Sequence, residues 1–149
     1  YSGQWYETAR YRQRDDSGYT RGRASYTLPS DDAGFLRCSN VAKWTNSSLY
    51  RTSVTARADN PAHPADITVR SGWTVIRKYK IVRTDYVQSA LIHTCHSVLA
   101  VLGVEYAWVL SRTPQLDKSV VDEDIQVLAD TGSNTSLLSM TSQDCGSFF

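Results

Sequence analysis

The chain has 149 residues, of which 41% are hydrophobic and 21% are charged, and its formal net charge at pH 7 is +1. This length accommodates one domain with a substantial core but not two, and the composition excludes an intrinsically disordered chain. Acidic and basic residues are interspersed, so no cationic face for nucleic acid is predicted, and no run of about 18 apolar residues predicts a membrane-spanning helix.

Alternation of apolar and polar residues predicts short β-strands along most of the chain. Aromatic and β-branched residues fill these segments, and turn residues interrupt them about every ten positions. Pro29 to Gly34 and Asn60 to Pro64 are the strongest turn signals, because prolines do not fit a central strand. The eight predicted strands cover residues 5–11, 23–28, 35–43, 50–58, 67–70, 77–83, 89–97 and 105–112.

One segment has the period of a helix instead. Val120, Val121, Ile125 and Leu128 fall on one helical face. Gly132 provides an end for that helix. We predict a helix at about 117–129 and a last short strand at about 136–141, which together with the eight strands favours an all-β, antiparallel barrel or sandwich.

The three cysteines, Cys38, Cys95 and Cys145, show no metal-ligand spacing, and no metal site is predicted. Two sequons, at Asn46 and Asn134, permit N-glycosylation of a secreted protein. Cysteines and sequons together indicate an extracellular location. The chain opens in mid-pattern without an initiator methionine, as expected of a mature or partial polypeptide.

Three short motifs occur in order on these elements. Gly3-Gln4-Trp5 opens the first strand, Thr84-Asp85-Tyr86 lies between the sixth and seventh, and Arg112 ends the eighth. This arrangement resembles the lipocalin family, and residues 106–115 look especially like the branch containing apolipoprotein D, insect bilin-binding proteins and crustacyanin. The resemblance implies a single domain over residues 1–149: an eight-stranded antiparallel up-and-down β-barrel with one C-terminal α-helix packed outside.

The resemblance also gives these motifs a structural role at the barrel floor. Trp5 would close one end of the barrel, with the Arg112 guanidinium stacked on its ring as a cation–π contact. Asp85 would cap its turn by accepting backbone hydrogen bonds. The residues assigned to the floor are Gly3, Trp5, Thr84, Asp85, Tyr86 and Arg112.

The lining of the barrel follows from strand alternation, anchored on an inward-facing Arg112. Lys78 and Lys80 take the solvent side of their strand, so their neighbours face the cavity. Glu7, near the floor, is the one candidate inward carboxylate. The predicted ligand-binding residues are Ala24, Tyr26, Leu28, Leu36, Cys38, Val54, Ala56, Ile67, Val69, Ser71, Tyr79, Ile81, Ala90, Ile92, Thr94, Tyr106, Trp108 and Leu110.

This aromatic and aliphatic lining suits a flat or elongated apolar molecule with one or two polar groups. The resemblance implies a secreted carrier without a catalytic cofactor, whose ligand is a pigment such as an astaxanthin-like carotenoid or a bilin. A colourless lipid, retinoid or steroid is the alternative ligand. Exposed aromatics, at Tyr19, Trp44, Trp73, Phe148 and Phe149, suggest a possible homo- or hetero-oligomer.

A minority of lipocalins are enzymes that use a pocket thiol, which makes Cys38 the candidate nucleophile here. The lining offers no convincing base or cation to activate it, so the protein is predicted not to be an enzyme. His93 and His96 flank Cys95, and with no carboxylate expected nearby they are interpreted as surface or helix-packing histidines.

The resemblance leaves the cysteine pairing open. Cys95 occupies a position at which relatives bond to a segment before the first motif, and Cys145 corresponds to a C-terminal tether. The usual early partners correspond to Arg21 and Arg51, which leaves Cys38 as a candidate partner of Cys145. The alternative is that Cys38 is a free thiol that faces the ligand.

Overall fold

The computed structural model describes residues 1–12, 19–29, 34–44, 46, 48–98 and 102–143. Within these ranges, the eight predicted strands and the late helix are all present, with ends shifted by a few residues. The elements are β1 (Gly3–Tyr11), β2 (Tyr19–Thr27), β3 (Leu36–Trp44), β4 (Leu49–Ala58), β5 (Asp66–Ser71), β6 (Thr74–Thr84), β7 (Ser89–Val98), β8 (Leu102–Ser111), α1 (Lys118–Asp130), a 3-10 turn (Thr135–Leu137) and β9 (Leu138–Met140).

The strands form one closed antiparallel sheet. Each strand from β2 to β8 pairs with the next, and β1 pairs with both β8 and β2, which closes the barrel. β1 changes partner along its length: residues 3–6 pair with β2, whereas residues 9–11 pair with β9. An irregularity between Glu7 and Ala9 marks this change. The predicted eight-stranded barrel is therefore confirmed, with β9 as an added outer strand.

The two ends of the barrel differ. β1 begins at the end where Arg112 follows β8 and where the turn 85–88 joins β6 to β7; we call this the closed end. The turn between β5 and β6 lies at the opposite end, which we call the rim. Exposed apolar side chains occur at both ends: Leu49, Tyr50, Trp73, Val75 and Ile76 lie near the rim, and Leu28, Tyr86 and Val87 lie at the closed end.

Helix α1 packs on the outside of the barrel. Asp117 caps its first turn by accepting a hydrogen bond from the Ser119 backbone N–H at 3.0 Å. Val121 and Leu128 are buried, and Leu128 joins an outer core with residues of β1, β7 and β8 such as Leu91 and Val109. No helix in the described part of the chain is long and apolar enough to span a bilayer.

An ion-pair cluster ties this helix to β6. The Arg83 guanidinium contacts the Glu123 carboxylate at 2.7 Å and the Asp124 carboxylate at 3.2 Å. Asp124 is fully buried, and burial raises the pKa of its carboxyl above the ordinary value, although Arg83 opposes this shift. Arg83 therefore supplies the counter-charge for a carboxylate that the docked helix removes from water.

Candidate ligand-binding site

The closed end is sealed by Trp5 and Arg112. Trp5 is fully buried, and the Arg112 guanidinium carbon lies 3.7 Å from its ring centroid. The same guanidinium donates to the carbonyl of Tyr86 through Nε and Nη2, at 3.2 and 3.0 Å, and to that of Gln4 through Nη1 at 3.0 Å. One side chain thus joins β1, the β6–β7 turn and the end of β8, as the motifs predict.

Gly3 allows this arrangement. Its φ of +103° lies in the region that favours glycine, and a Cβ built there would lie 2.8 Å from Arg112 Nη1. A side chain at this position would therefore strain the backbone and push Arg112 from the Trp5 ring.

The β6–β7 turn is held by Asp85. Its Oδ1 accepts hydrogen bonds from the backbone N–H groups of Val87, Gln88 and Ser89, at 3.0, 2.8 and 3.0 Å. These bonds lower the pKa of the Asp85 carboxyl below its ordinary value. The hydroxyl of Thr84 donates to the Ser89 carbonyl and accepts from the Tyr86 N–H, both at 3.0 Å. The predicted cap is present.

The structure brings most of the predicted lining residues together. Residues paired directly across antiparallel strands share one face of the sheet, and the pairs Tyr26–Cys38 and Ile92–Trp108 lie on the inner face. Trp5, Tyr26, Cys38, Ala90, Ile92 and Leu110 form a buried inner cluster, against which Tyr1, Ala24, Leu36, Val54, Tyr79 and Trp108 pack. By strand pairing, the inner face also includes Ala56, Ile67, Val69, Ile81, Thr94 and Tyr106.

Two predicted lining residues are exposed. β2 ends at Thr27, and the Leu28 side chain beyond it is 69% exposed. Ser71 alternates with Val69 along β5, but it is the last residue of the strand and is exposed at the rim. The positions at which β2 and β5 end depend on backbone pairing, which the side-chain pattern does not reveal.

Polar groups converge inside the barrel on the closed-end side. Tyr26 hydrogen-bonds with both Cys38 and Tyr79, and the Cys38 thiol donates to Asn40 Oδ1 at 3.3 Å. Burial raises the pKa of Cys38 to about 11 and that of Tyr79 to about 12, so both groups are neutral at pH 7. The Tyr1 hydroxyl is also buried and has no hydrogen-bonding partner in the described structure.

Tyr1 was not predicted to reach the interior. Its ring stacks on Trp5 with centroids 5.1 Å apart and meets Tyr26 edge-on at the same distance. The Trp5 indole N–H donates to the Tyr1 carbonyl at 3.0 Å. Tyr1 precedes the first strand, so no alternation in the sequence could have indicated its position.

A second group lies toward the rim. The rings of Tyr106 and Trp108 are parallel, with centroids 5.8 Å apart. The Arg77 guanidinium carbon lies 4.6 Å from the Tyr106 centroid and 5.2 Å from the Trp108 centroid. Sequence reasoning did not select Arg77 as a lining residue. The signal was present, since Arg77 alternates with Tyr79 and Ile81 along β6.

Glu7 is the candidate inward carboxylate, but its partners lie along β1 and after β9. Its Oε1 accepts from the Thr141 hydroxyl at 2.7 Å and lies 3.4 Å from Arg10 Nε. Cys38 is a buried free thiol and Cys95 an exposed one, whereas Cys145 lies outside the described residues.

His93 lies on the outer face and contacts Glu105 Oε1 at 2.7 Å and Ser133 Oγ at 3.3 Å, both through Nε2. It therefore packs against the segment that follows the helix; the His96 side chain lies outside the described set. Within the described ranges, no group of three or more His, Cys, Asp or Glu side chains is placed to hold a metal ion.

Comparison with known proteins identifies the family. A family model described as a lipocalin-like domain matches residues 1–143. The chain belongs to the lipocalin family. It is similar to apolipoprotein D of Macaca fascicularis, with 26% identity over 97% of this chain and 75% of the relative, and to that of Bos taurus, with 25% identity over 97% and 74%.

Solved lipocalin structures have the same fold. Lobster apocrustacyanin A1 superposes with a TM-score of 0.81 at 16% identity, covering 97% of this chain and 78% of that one. Insecticyanin from Manduca sexta superposes with a TM-score of 0.78 at 18% identity, covering 98% and 79%. The inner face of this lipocalin's barrel, apolar and aromatic with a few hydroxyls, is consistent with binding a small hydrophobic ligand.

Proposed function

We propose that this lipocalin is a secreted carrier that holds one small hydrophobic ligand inside its barrel. The observation that carries the proposal is the incomplete burial of inward-facing side chains. Val54, Ile67, Tyr106 and Trp108 face the interior yet remain partly accessible, whereas Trp5 at the closed end is fully buried. Side chains therefore seal one end of the barrel without filling the rest, which leaves apolar surface for a ligand to cover.

The proposed ligand is a pigment, a carotenoid or a bilin. The resemblance to the crustacyanin and bilin-binding branch favours this class, and the stacked Tyr106 and Trp108 rings offer a flat face to a conjugated system. The unpartnered Tyr1 hydroxyl and its polar neighbours could orient a keto or hydroxyl group at the closed end.

The absorption spectrum of the protein purified from its natural source tests the pigment. A band in the visible that is extracted into organic solvent, with a matching mass, is the expected result. If the native protein absorbs only in the ultraviolet, the pigment proposal is wrong, and the mass spectrum of the extract then identifies the colourless lipid, retinoid or steroid in its place.

The same geometry argues against catalysis. The raised pKa of Cys38 keeps the thiol protonated at pH 7, and its hydrogen-bonding neighbours are neutral, so the thiol is not activated as a nucleophile. His93 contacts Ser133 and Glu105 through the same nitrogen, whereas a serine–histidine–acid relay needs one contact on each ring nitrogen.

Secretion and glycosylation are part of the proposal. Asn46 and Asn134 are exposed, and in each sequon Oδ1 accepts from the hydroxyl two residues later, at 2.6 and 2.7 Å. Glycosidase treatment of the natural protein should lower its mass, and no change would contradict modification at these sites. The fully exposed Trp73 supports a surface for self-association or for another subunit, which sedimentation over a range of concentrations would test.

A further inference from the structure

The side chain of Arg77 has an unusual environment for a cation. It lies on the inner face of the barrel, because it pairs with Val69, which is buried on that face. Its guanidinium contacts the Tyr106 and Trp108 rings. Within the described structure no hydrogen bond or ion pair to Arg77 is found, so its charge faces two π-systems and its five N–H donors have no protein acceptor.

Other partly buried arginines differ in this respect. Arg10, Arg70 and Arg83 each face a carboxylate, and Arg112 donates to two carbonyls. Arg70 allows a close comparison, because it lies on β5, which pairs with the part of β6 that carries Arg77. Ordinary alternation separates them: Arg77 pairs with Val69 and shares its inner face, whereas Arg70, the next residue along β5, lies on the outer face and reaches Asp59 at 3.2 Å.

This position has a consequence for ligand binding. A ligand that covers the Tyr106 and Trp108 rings also removes water from the Arg77 guanidinium. A neutral apolar ligand would leave that charge dry with its donors unsatisfied, which is costly. A carboxylate would accept two parallel N–H bonds in the geometry that guanidinium favours, and the cation–π contacts would hold the guanidinium in place.

We propose that Arg77 binds a carboxylate carried by the ligand, so that the cargo is an apolar molecule with an acidic end held toward the rim. The remainder of the molecule then extends past Ile92 and Val54 toward Trp5. This inference rests on the proposed carrier function and deepens it, since it names the chemistry of the ligand and, of the two pigment classes proposed above, favours a carboxylate-bearing bilin over a neutral carotenoid. Two sources share that chemistry: a long-chain acid and a carboxylate-bearing tetrapyrrole.

The test compares acids with their esters. The probes are cis-parinaric acid and its methyl ester, and biliverdin and its dimethyl ester, each titrated against delipidated protein while tryptophan fluorescence is followed. We expect at least one acid to bind about tenfold or more tightly than its ester, as a charged hydrogen-bonded contact provides. The pair that shows this preference identifies the source.

Variants test whether Arg77 is the residue that causes the preference for the acid over its ester. Arg77→Met should weaken binding of the preferred acid about tenfold or more and leave its ester within about twofold; Arg77→Lys should restore part of the loss. The matched control is Arg37→Met, which removes the same charge from an exposed position on β3 and should change neither affinity. Near-ultraviolet circular dichroism shows whether each variant is folded.

The possible failures are distinct. If the wild-type protein binds acid and ester with equal affinity, the inference is overturned while the carrier function stands. This comparison needs no variant. The inference is overturned in the same way if a folded Arg77→Met variant keeps the acid preference. If no acid or ester binds to the wild-type protein, the inference fails, whereas the carrier proposal fails only if an organic extract of the natural protein also contains no small hydrophobic molecule.

Discussion

Some side chains stabilise the barrel, whereas others line its interior, where the proposed ligand binds. Arg112 and Arg77 show the contrast, because the guanidinium group of each stacks on aromatic rings: Arg112 at the closed end and Arg77 on the inner face toward the rim. Arg112 uses its donors on the carbonyls of Gln4 and Tyr86, so it is committed to structure. Arg77 retains its donors for another acceptor. Arginine therefore has a structural role where backbone carbonyls accept its N–H groups, as at Arg112, and is available to a ligand where they do not, as at Arg77.

At the floor, Gly3→Ala should destabilise the protein by about 2 kcal/mol or more, because it combines a strained φ with a contact at 2.8 Å to Arg112. Gly72→Ala is the control: its φ is also positive, but a Cβ there meets nothing within 4 Å, so about 1 kcal/mol is expected. Urea unfolding measures both. Equal costs would mean that the Arg112 contact contributes nothing.

Inside the cavity, Cys38→Ala should leave the amount of bound ligand unchanged. The thiol is neutral and hydrogen-bonds within the protein, so it takes no part in retaining a carried molecule. The measurement is the ratio of bound ligand to protein after recombinant wild-type and variant proteins are loaded with the ligand extracted from the natural protein, with reduced and unreduced wild-type protein as controls. Loss of the ligand together with the thiol would instead indicate a covalent or direct thiol contact.

Among the elements, the β6–β7 turn is capped by the Asp85 carboxylate, and the outer helix buries the Asp124 carboxylate. The two carboxylates change the stability of the fold in opposite directions as pH rises. Asp85 has a lowered pKa in the folded state, so its contribution to stability is present at neutral pH and is lost as pH falls through that lowered value. Asp124 has a raised pKa, so its ionisation costs stability as pH rises from about its ordinary value of 3.8 through the folded-state value.

Asp85→Ala should therefore lower the unfolding free energy at pH 7 by about 1–2 kcal/mol, since three backbone N–H groups lose their acceptor. The difference from wild type should shrink below pH 3.8, where the unfolded-state carboxyl is protonated and the folded one begins to be. Denaturant unfolding across this range gives the comparison. Asp66→Asn, at the start of β5, is the control, and an equal effect there would contradict the capping role.

Arg83→Met should cost about 1–3 kcal/mol, because it leaves the buried Asp124 carboxylate without its counter-charge. It should also make stability fall more steeply with rising pH, since Arg83 lowers the Asp124 pKa. Glu123→Gln removes the exposed partner of the same guanidinium and should change stability by less than about 0.5 kcal/mol. A larger effect of Glu123→Gln than of Arg83→Met would reverse this assignment.

For the whole molecule, alternation predicted an antiparallel barrel or sandwich because each strand buries one face, and the resemblance to the lipocalins selected the barrel. Alternation also placed Tyr26 and Cys38 inside, whereas Ile92 was placed there with the help of the resemblance. It failed where backbone geometry intervenes. Leu28 lies past a strand end that only pairing with β3 defines, and Ser71 is exposed because β5 ends there at the rim. Arg77 was not among the predicted lining residues, although it alternates with Tyr79 and Ile81 along β6.

Ligand binding should stabilise the whole barrel. At a free concentration about a hundredfold above Kd, a carried molecule should raise the unfolding free energy by about 2.7 kcal/mol. Val54→Trp places a large ring on the inner face and should abolish this increment, whereas Ser53→Trp, on the exposed face of the same strand, should keep it. Thermal unfolding with and without the bound probe measures both. Retained stabilisation in folded Val54→Trp would place the ligand elsewhere.

The double role of β1 also has a consequence for biosynthesis. β1 leaves the ribosome before β2, whereas β8 and β9, with which it also pairs, follow much later, and the Arg112–Gln4 bond joins positions 108 residues apart. Until β8 is made, β1 has only β2 to pair with, and one edge stays open to other chains. Ring closure by these distant contacts should therefore limit the folding rate, and the nascent barrel stays exposed to aggregation until β8 has emerged.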